Sequence, residues 1–280
     1  MSTHWHKTDW LILASLILIA TVFRVWRLDS VPPGFQFDEA YNASDALRII
    51  AGERPLFFEA NGGREALYVY WIAPFVATFG ATAFALRLAS AVIGIATVAL
   101  SYVLWRRMLP PTERLVAVLA ALLMATSYWH IHFSRYGIRA ITLPLLLTAT
   151  CYCLWDALPN VTSDKWHVTR KVFPVTCHSS LVTLVLCGFF LGLSIYAHPA
   201  ARFVPIIITL WIAYSRFANR QSQSPNLSIS NLQLPTSNFP SLISTFALIA
   251  LTAFIIFVPL GYYFLNHPDQ FIGHPKAVVS

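Results

Sequence analysis

The stretch GFQFDEAYNASDALRI, residues 34–49, places three carboxylates just beyond a long apolar run. Asp38, Glu39 and Asp45 are a quarter of the 12 acidic residues in a chain of 280. A Pro-Pro-Gly break precedes the stretch, and such breaks end regular structure. We predict a helix over residues 39–51 that lies along a membrane surface.

The spacing of side chains supports this helix. Ala43, Leu47 and Ile50 recur at helical intervals and are predicted to form one apolar face. Asp45 and Arg48 stand three residues apart, so they can form an ion pair on the helix surface. The stretch is therefore predicted to be a short amphipathic helix.

The two adjacent acids at its head have two interpretations. Asp is a favoured N-cap residue, and Asp38 stands where the predicted helix begins. Glu39 in the first turn interacts favourably with the helix dipole. On these two residues alone, capping is a better interpretation than catalysis.

The composition indicates an integral membrane protein. The chain is 57% hydrophobic and 11% charged, with a mean hydropathy of +0.61, whereas soluble domains have about 25% charged residues. The net charge of +7 is modest and no basic run is interleaved with aromatics, so nucleic acid is not a predicted partner. The four cysteines show no metal-ligand spacing. No metal or cofactor is predicted, although a divalent ion stays an open alternative.

The apolar runs predict an all-α, multi-pass fold. A membrane-spanning helix needs about 20 apolar residues. Seven segments satisfy this pattern approximately: 10–28, 84–105, 115–133, 141–158, 181–197, 203–218 and 242–265. The first segment is not followed by the small residues that form a signal-peptide cleavage site, so it is predicted to be retained as a membrane span. An eighth segment, 66–82, is short and interrupted by Pro74.

Charge bias predicts the topology. Cytoplasmic loops tend to be rich in Lys and Arg, and the basic clusters fall inside only if 66–82 does not cross the membrane. We therefore predict a cytoplasmic N-terminus in the plasma membrane and an interfacial or re-entrant helix at 66–82. The first outer loop is then 29–83. The Ser/Asn/Gln/Pro-rich segment 219–241 is predicted to be a flexible cytoplasmic loop.

Several cations fall on the predicted outer side, against this bias. Each one taken alone is best interpreted as a contact with lipid headgroups. Together they suggest an anion site, because guanidinium groups bind phosphate through two parallel hydrogen bonds. The residues are Arg64, Arg87, Arg135, Arg139, His198 and Arg202.

In their order and spacing, four motifs resemble the C-type integral membrane glycosyltransferases. The nearest branches are the protein O-mannosyltransferases and the lipid A aminoarabinose transferases. The motifs are DEAY at 38–41, GGREALYVYW at 62–71, ALRLASAVIGIATVALSYVLWRRML at 85–109 and HFSRYGIR at 132–139. The resemblance extends over essentially the whole chain.

The resemblance implies transfer of a sugar from a polyprenyl-phosphate donor to an acceptor hydroxyl outside the membrane, with inversion. It implies that Asp38 is the general base and that Glu39 orients the base or the acceptor. Together with the outer cations, it predicts donor-phosphate contacts at Arg64, Arg135, Arg139 and Arg202. Weaker predictions for acceptor or sugar contacts are Tyr41, Glu65, Tyr68 and His198.

The chain also departs from the family pattern. Arg64-Glu65-Ala66 stands where the aminoarabinose branch has Lys-Pro-Pro, and Ala140 stands where mannosyltransferases carry an Asp. We expect residues 1–280 to be a single N-terminal module, with the further spans and the outer domain of the family missing after Ser280. Two other interpretations stay open: a secondary transporter, and a non-catalytic scaffold or inactive fragment.

Overall fold

The computed structural model describes residues 5–157, 177–206, 209–210 and 239–271. The described residues form helices and one two-stranded antiparallel hairpin, in which Phe57–Phe58 (β1) pairs with Arg64–Glu65 (β2). The helices are Lys7–Val25 (α1), Phe37–Ile50 (α2), Leu67–Phe79 (α3), Ala83–Met108 (α4), Arg114–Thr126 (α5), Tyr128–Arg135 (α6), Thr142–Ala157 (α7), Cys177–Ser194 (α8) and Phe239–Asn266 (α9). Short 3₁₀ turns occur at Pro111–Glu113, Arg139–Ile141 and Pro199–Phe203.

The helices are long and apolar enough for a multi-pass membrane protein. Within the described residues, Lys7–Val25, Ala83–Met108 and Phe246–Asn266 can each cross a bilayer, and the bent pair Pro111–Thr126 with Tyr128–Arg135 supplies a fourth candidate. The all-α membrane fold is thus confirmed, but a count of seven spans is not. Most of segment 203–218, and segment 219–241 up to residue 238, lie outside the described residues.

Segment 66–82 contains a short helix. At about 1.5 Å per residue, the 13 residues of α3 extend about 20 Å, less than the roughly 30 Å of a hydrocarbon core. The helix packs against α2 and α4 in a core that includes Ala46, Tyr68, Ile72 and Leu86. This length supports the interfacial placement of the segment, which stays a prediction.

The helix that follows the Pro-Pro-Gly break begins at Phe37, two residues before its predicted start. Gln36 is its N-cap, and the backbone N–H of Gln36 donates to Glu39 Oε2 at 2.9 Å. The Gln36 side chain in turn contacts the backbone N–H of Glu39, and the two contacts together form a capping box. The prediction that Asp38 is the N-cap is therefore wrong, and Asp38 lies within the first turn of the helix.

The buried face of α2 also differs from the predicted one. Ala43 is buried as expected, but Leu47 and Ile50 are 50% and 46% exposed. The buried positions include Asn42 and Asp45. The helix therefore turns polar side chains inward, toward charged partners on other elements.

Arg24 joins three helices near the end of α1. Its guanidinium is fully buried and donates to the carbonyls of Ala125 at 2.9 Å and Met124 at 3.4 Å. These carbonyls belong to the last turn of α5, where helical hydrogen bonding stops. The chain bends by 49° between α5 and α6. Because an apolar environment penalises unsatisfied carbonyls, Arg24 compensates for this break.

The same cluster constrains α4. Arg24 Nε donates to Ser134 Oγ at 3.2 Å, and Arg24 Nη2 lies 2.7 Å from His130 Nδ1. A Cβ on Gly94 would overlap Ser134 Oγ and lie 3.1 Å from Arg24 Nε. Glycine at this position therefore allows α4 to approach the cluster closely.

The far end of the bundle carries a second set of charges. Asp9 at the start of α1 pairs with Arg106 at 3.1 Å and Arg114 at 3.3 Å, and Arg107 pairs with Asp156. The basic cluster formed by Arg106, Arg107 and Arg114 therefore lies at the same end of the bundle as the N-terminus, which agrees with the predicted topology. Which side of the membrane this end faces stays a prediction.

We expect Gly94→Ala to lower the free energy of unfolding by about 1–3 kcal/mol, because the added methyl group overpacks the Arg24 cluster. The measurement is thermal unfolding of the purified protein in detergent. Val92→Ala on the same helix is the control, since Val92 is 38% exposed and should change stability little. Equal stability of the two variants would contradict close packing at Gly94.

Candidate active site

We call the end of the bundle that carries residues 26–66 the loop end. The Glu39 carboxylate at this end is fully buried and accepts several hydrogen bonds. Arg87 on α4 donates to it twice, through Nε to Oε1 at 2.8 Å and Nη2 to Oε2 at 3.0 Å. The backbone N–H of Gly137 also donates to Oε1 at 3.1 Å. Glu39 thus connects α2, α4 and the turn after α6.

Arg87 also organises the segment before α2. Its guanidinium donates to the carbonyls of Leu28 at 3.3 Å, Pro32 at 2.8 Å and Gly34 at 2.6 Å. The loop around the Pro-Pro-Gly break is therefore attached to the start of α4. As a result, Asp38 is presented at a defined position relative to the bundle.

Arg135 also attaches the end of α1 and the loop that follows it to the bundle. Its side chain is largely buried and donates to the carbonyls of Phe23 at 3.0 Å, Trp26 at 2.9 Å and Val31 at 2.6 Å. Phe23 belongs to the last turn of α1, and Trp26 and Val31 follow the helix, where carbonyls lack helical partners. The described contacts of this predicted phosphate ligand are thus with backbone carbonyls.

Arg64 lies in a second buried network. It forms an ion pair with Asp45, and its Nη1 donates to Asn42 Oδ1 at 2.6 Å. The predicted pair between Arg48 and Asp45 is confirmed at 3.3 Å. Asn42 Nδ2 donates in turn to the carbonyl of Gly137 at 2.7 Å. The network attaches the hairpin to the buried face of α2.

Asp38, in contrast, is exposed to solvent at the head of α2. Its Oδ1 accepts a hydrogen bond of 2.5 Å from Asn61 Nδ2. Asn61 lies in the turn between β1 and β2, where its φ is +57° and those of Gly62 and Gly63 are +73° and +85°. Asn and Gly are the residues that adopt such angles readily. This turn therefore orients the exposed carboxylate.

Glu65 holds two further cations at the loop end. The carboxylate is 2% exposed, and its Oε2 lies 3.1 Å from Arg139 Nη1 while its Oε1 lies 3.8 Å from Arg202 Nη2. Arg139 also donates to the carbonyl of Gly63 at 3.2 Å. Burial lowers the pKa of the Arg139 guanidinium from its ordinary value, and Glu65 opposes that shift. The three side chains join β2, the turn before α7 and the turn after α8.

Arg202 is the more accessible of these two cations, with a side chain 30% exposed. Its guanidinium lies over the ring of Phe271, 4.5 Å from the centroid, and 5.7 Å from that of Phe264. Phe264 also packs against Phe57 of the hairpin, with ring centroids 5.2 Å apart. The end of α9 therefore closes this side of the loop end.

The three weaker predictions apart from Glu65 fall in different environments. Tyr41 is partly buried, with the Arg64 guanidinium 5.4 Å from its ring centroid. Tyr68 is fully buried, and its hydroxyl lies 2.7 Å from Ser90 Oγ. His198 is partly buried, and its Nδ1 accepts from the backbone N–H of Ala200 at 3.2 Å. Of these, Tyr41 lies beside α2 and Tyr68 lies inside the core.

The sequence analysis missed Asn61 and Asn42. The Asn-Gly-Gly sequence at 61–63 indicates a tight turn, and that signal could have located the turn but not its contact with Asp38. Asn42 stands in an Asn-Ala-Ser sequon, yet its side chain is buried and uses both polar atoms internally. In both cases the partner is distant in sequence.

The described residues form a helical membrane bundle with an exposed carboxylate and several arginines at one end, and the comparison of sequences assigns this bundle to the multi-pass membrane glycosyltransferases. The sequence profile of the dolichyl-phosphate-mannose-protein mannosyltransferase family matches residues 62–267. The match covers well over half of the chain, which therefore belongs to that family. The resemblance predicted from the sequence is confirmed.

Two solved structures share this fold. The protein O-mannosyltransferase Pmt1-Pmt2 complex of S. cerevisiae, bound to the sugar donor, superposes with a TM-score of 0.66 at 17% identity. ArnT from Cupriavidus metallidurans, bound to undecaprenyl phosphate, superposes with a TM-score of 0.64 at 15% identity. Identities this low establish the fold alone.

The superpositions cover most of this chain but less than half of either neighbour. They cover 94% of this chain and 34% of the yeast chain, and 96% of this chain and 44% of ArnT. The chain therefore spans less than half the length of either protein. A search of curated protein sequences finds no match.

We expect Arg87→Leu to lower the free energy of unfolding by about 3–5 kcal/mol, because Glu39 would remain buried without its counter-charge. Thermal unfolding in detergent measures the loss. Arg48→Leu is the matched control: its pairs with Asp45 and Glu53 are about half exposed on the arginine side, so its loss should stay below about 1 kcal/mol. Similar losses for both variants would contradict a central role for the Glu39 pair.

Proposed function

We propose that this chain transfers a sugar from a polyprenyl-phosphate donor to an acceptor hydroxyl at the loop end of the bundle. Membership of the mannosyltransferase family supports the reaction class. Of the two solved structures with the same fold, one is bound to the sugar donor and the other to undecaprenyl phosphate. The sugar and the acceptor are left open by this proposal.

The observation that carries the proposal is the contrast between Asp38 and the other acids of the site. Glu39, Asp45 and Glu65 are buried and face arginines. Asp38 is exposed, and the Asn61 amide orients it. A general base must reach the proton that it removes. Asp38 is the carboxylate of this group that meets that requirement.

The chemistry follows from the donor. The acceptor oxygen attacks the anomeric carbon while the bond from that carbon to the phosphate oxygen breaks. The hydroxyl proton passes to the Asp38 carboxylate, and the polyprenyl phosphate leaves as an anion. Attack opposite the leaving group inverts the anomeric configuration. Since a phosphate anion leaves without protonation, one carboxylate suffices, unlike the two that glycosidases need.

Arg202 and Arg139 are the cations that we assign to the donor phosphate. Arg202 is partly exposed and is held by a long contact with Glu65, which leaves N–H groups for a ligand. Arg139 lies beside it on the same carboxylate. Arg64 and Arg135, which the sequence also suggested, have internal acceptors in this structure. We propose that these two position the loop and the hairpin around the donor.

The proposal places the N-terminus in the cytoplasm and the loop end on the extracytoplasmic side of the plasma membrane. The arrangement of charges supports it, because the Arg106 and Arg107 cluster lies at the end opposite to Asp38. A prenyl chain would then lie in the bilayer beside the bundle while its phosphate reaches the arginines.

We expect Asp38→Asn to lower kcat for sugar transfer by about 10²–10⁴-fold, because the amide cannot accept the hydroxyl proton. Asn61→Gly should lower kcat by about tenfold with little change in KM, because it removes the orienting amide and keeps a residue that tolerates positive φ. Transfer from polyprenyl-phosphate sugars to a panel of acceptors measures both. Asp29→Asn, at an exposed carboxylate of the preceding loop, is the control. Normal turnover of folded Asp38→Asn protein would overturn the assignment of the base.

We expect Arg202→Gln to weaken binding of polyprenyl phosphate by about tenfold or more, which is the effect of losing a charge-assisted hydrogen bond. Binding to the purified protein in detergent measures it. Arg54→Gln is the control, because Arg54 is exposed and its described contacts are with backbone carbonyls. Unchanged affinity in the Arg202 variant would remove this residue from the phosphate site.

A further inference from the structure

We propose that the negative charge of Glu65 weakens the binding of the released polyprenyl phosphate more than the binding of the sugar donor, and thereby promotes product release. We call Glu65 the electrostatic counterweight. The inference rests on the proposed function, because it concerns the lipid that the site would hold. The observation behind it is that one buried carboxylate faces both arginines assigned to the phosphate.

The position of Glu65 is fixed by the hairpin. Glu65 pairs with Phe57 across the two strands, and the preceding strand residue, Arg64, forms an ion pair with Asp45. The backbone N–H of Leu67, just beyond β2, donates to the carbonyl of Tyr196 at 3.3 Å. The carboxylate is therefore held between the turns that carry Arg139 and Arg202, with little freedom to withdraw.

The two contacts of the carboxylate are unequal. Arg139 Nη1 lies 3.1 Å from Oε2, whereas Arg202 Nη2 lies 3.8 Å from Oε1, beyond hydrogen-bond distance. Arg202 is partly exposed and rests on the ring of Phe271. Its N–H groups can turn to a phosphate without breaking a hydrogen bond to Glu65. The carboxylate then stays behind as a negative charge next to the bound ligand.

The charge of the ligand changes during the reaction. The donor is a phosphodiester with one negative charge, while the released lipid is a phosphomonoester with a charge of about −1.5 to −2 near neutral pH. Arg139, Arg202 and Glu65 together carry a net charge of +1. That sum matches the donor and leaves the product with unbalanced negative charge beside a buried carboxylate. Glu65 therefore opposes product binding more strongly than donor binding.

Coulomb energy is linear in each charge, which gives a quantitative expectation. If Glu65→Gln tightens the binding of the donor by about threefold, it should tighten the binding of the monoester by about the square of that factor, close to tenfold. A residue that only supports the fold would weaken both ligands when replaced. The ratio of the two dissociation constants thus distinguishes an electrostatic effect of Glu65 on the ligands from a purely structural role.

The experiment measures dissociation constants for a polyprenyl-phosphate sugar and for polyprenyl phosphate with the purified full chain in detergent. Glu65→Gln is expected to change their ratio by about threefold in favour of the monoester. Glu65→Asp keeps the charge and should retain the wild-type ratio. Glu65→Ala is the second neutral variant, in case the glutamine variant does not fold.

Glu59→Gln is the matched control. Glu59 lies on the same hairpin segment but is exposed, and it accepts from the Tyr263 hydroxyl at 3.1 Å. An equal change of the ratio in this control would show a general field effect and overturn the proposal. An unchanged ratio, or equal weakening of both ligands, in the neutral Glu65 variants would overturn it too.

Turnover distinguishes this inference from the proposed function. If the wild-type chain transfers sugar but the ratio does not respond to Glu65, the function stands and the counterweight is wrong. If the chain binds both lipids with the expected ratios but transfers no sugar to any acceptor, the counterweight stands and the catalytic proposal fails. If the wild-type chain binds neither lipid, both are overturned.

Discussion

Glu39 and Arg87 form a fully buried ion pair on which the geometry of the loop end depends. Burying two charges is costly unless hydrogen bonds satisfy their remaining donors and acceptors. Gln36 and Gly137 donate to the carboxylate, and three carbonyls of the preceding loop accept from the guanidinium. The pair therefore holds together segments that are far apart in sequence. The carboxylate beside the proposed base thus has a structural role, because it connects α2, α4 and the turn after α6.

The same principle recurs around the loop end, where arginines satisfy the polar groups that broken helices leave. Arg135 donates to carbonyls at and just beyond the end of α1, and Arg24 donates to carbonyls in the last turn of α5. In water such groups would be hydrated, but in an apolar environment they need partners from the protein. The described hydrogen bonds of these two arginines therefore serve to stabilise the fold. Arg139 and Arg202 instead share the Glu65 carboxylate, and Arg202 is the more exposed of the two.

The four arginines that the sequence suggested as phosphate ligands have different partners in the structure. The sequence suggested Arg64, Arg135, Arg139 and Arg202 on equal terms, because each is a cation beside a turn. Burial separates them: Arg64 has Asp45 and Asn42 as partners, and Arg135 has backbone carbonyls. A linear pattern records residue type and spacing, whereas the partner of a buried charge depends on elements that are distant in sequence. Asn61, the partner of Asp38, was missed for the same reason.

The sequence by itself determined the membrane class, the family resemblance, the helix after the Pro-Pro-Gly break and the i, i+3 pair of Asp45 and Arg48. Those features depend on composition and local spacing, which act over a few residues. Only the tertiary structure decided that Gln36 and Glu39, rather than Asp38, cap α2, and that Glu39 is buried while its neighbour is exposed. Adjacent residues on a helix point about 100° apart, so the approach of α4 and the turn after α6 determines which carboxylate is enclosed.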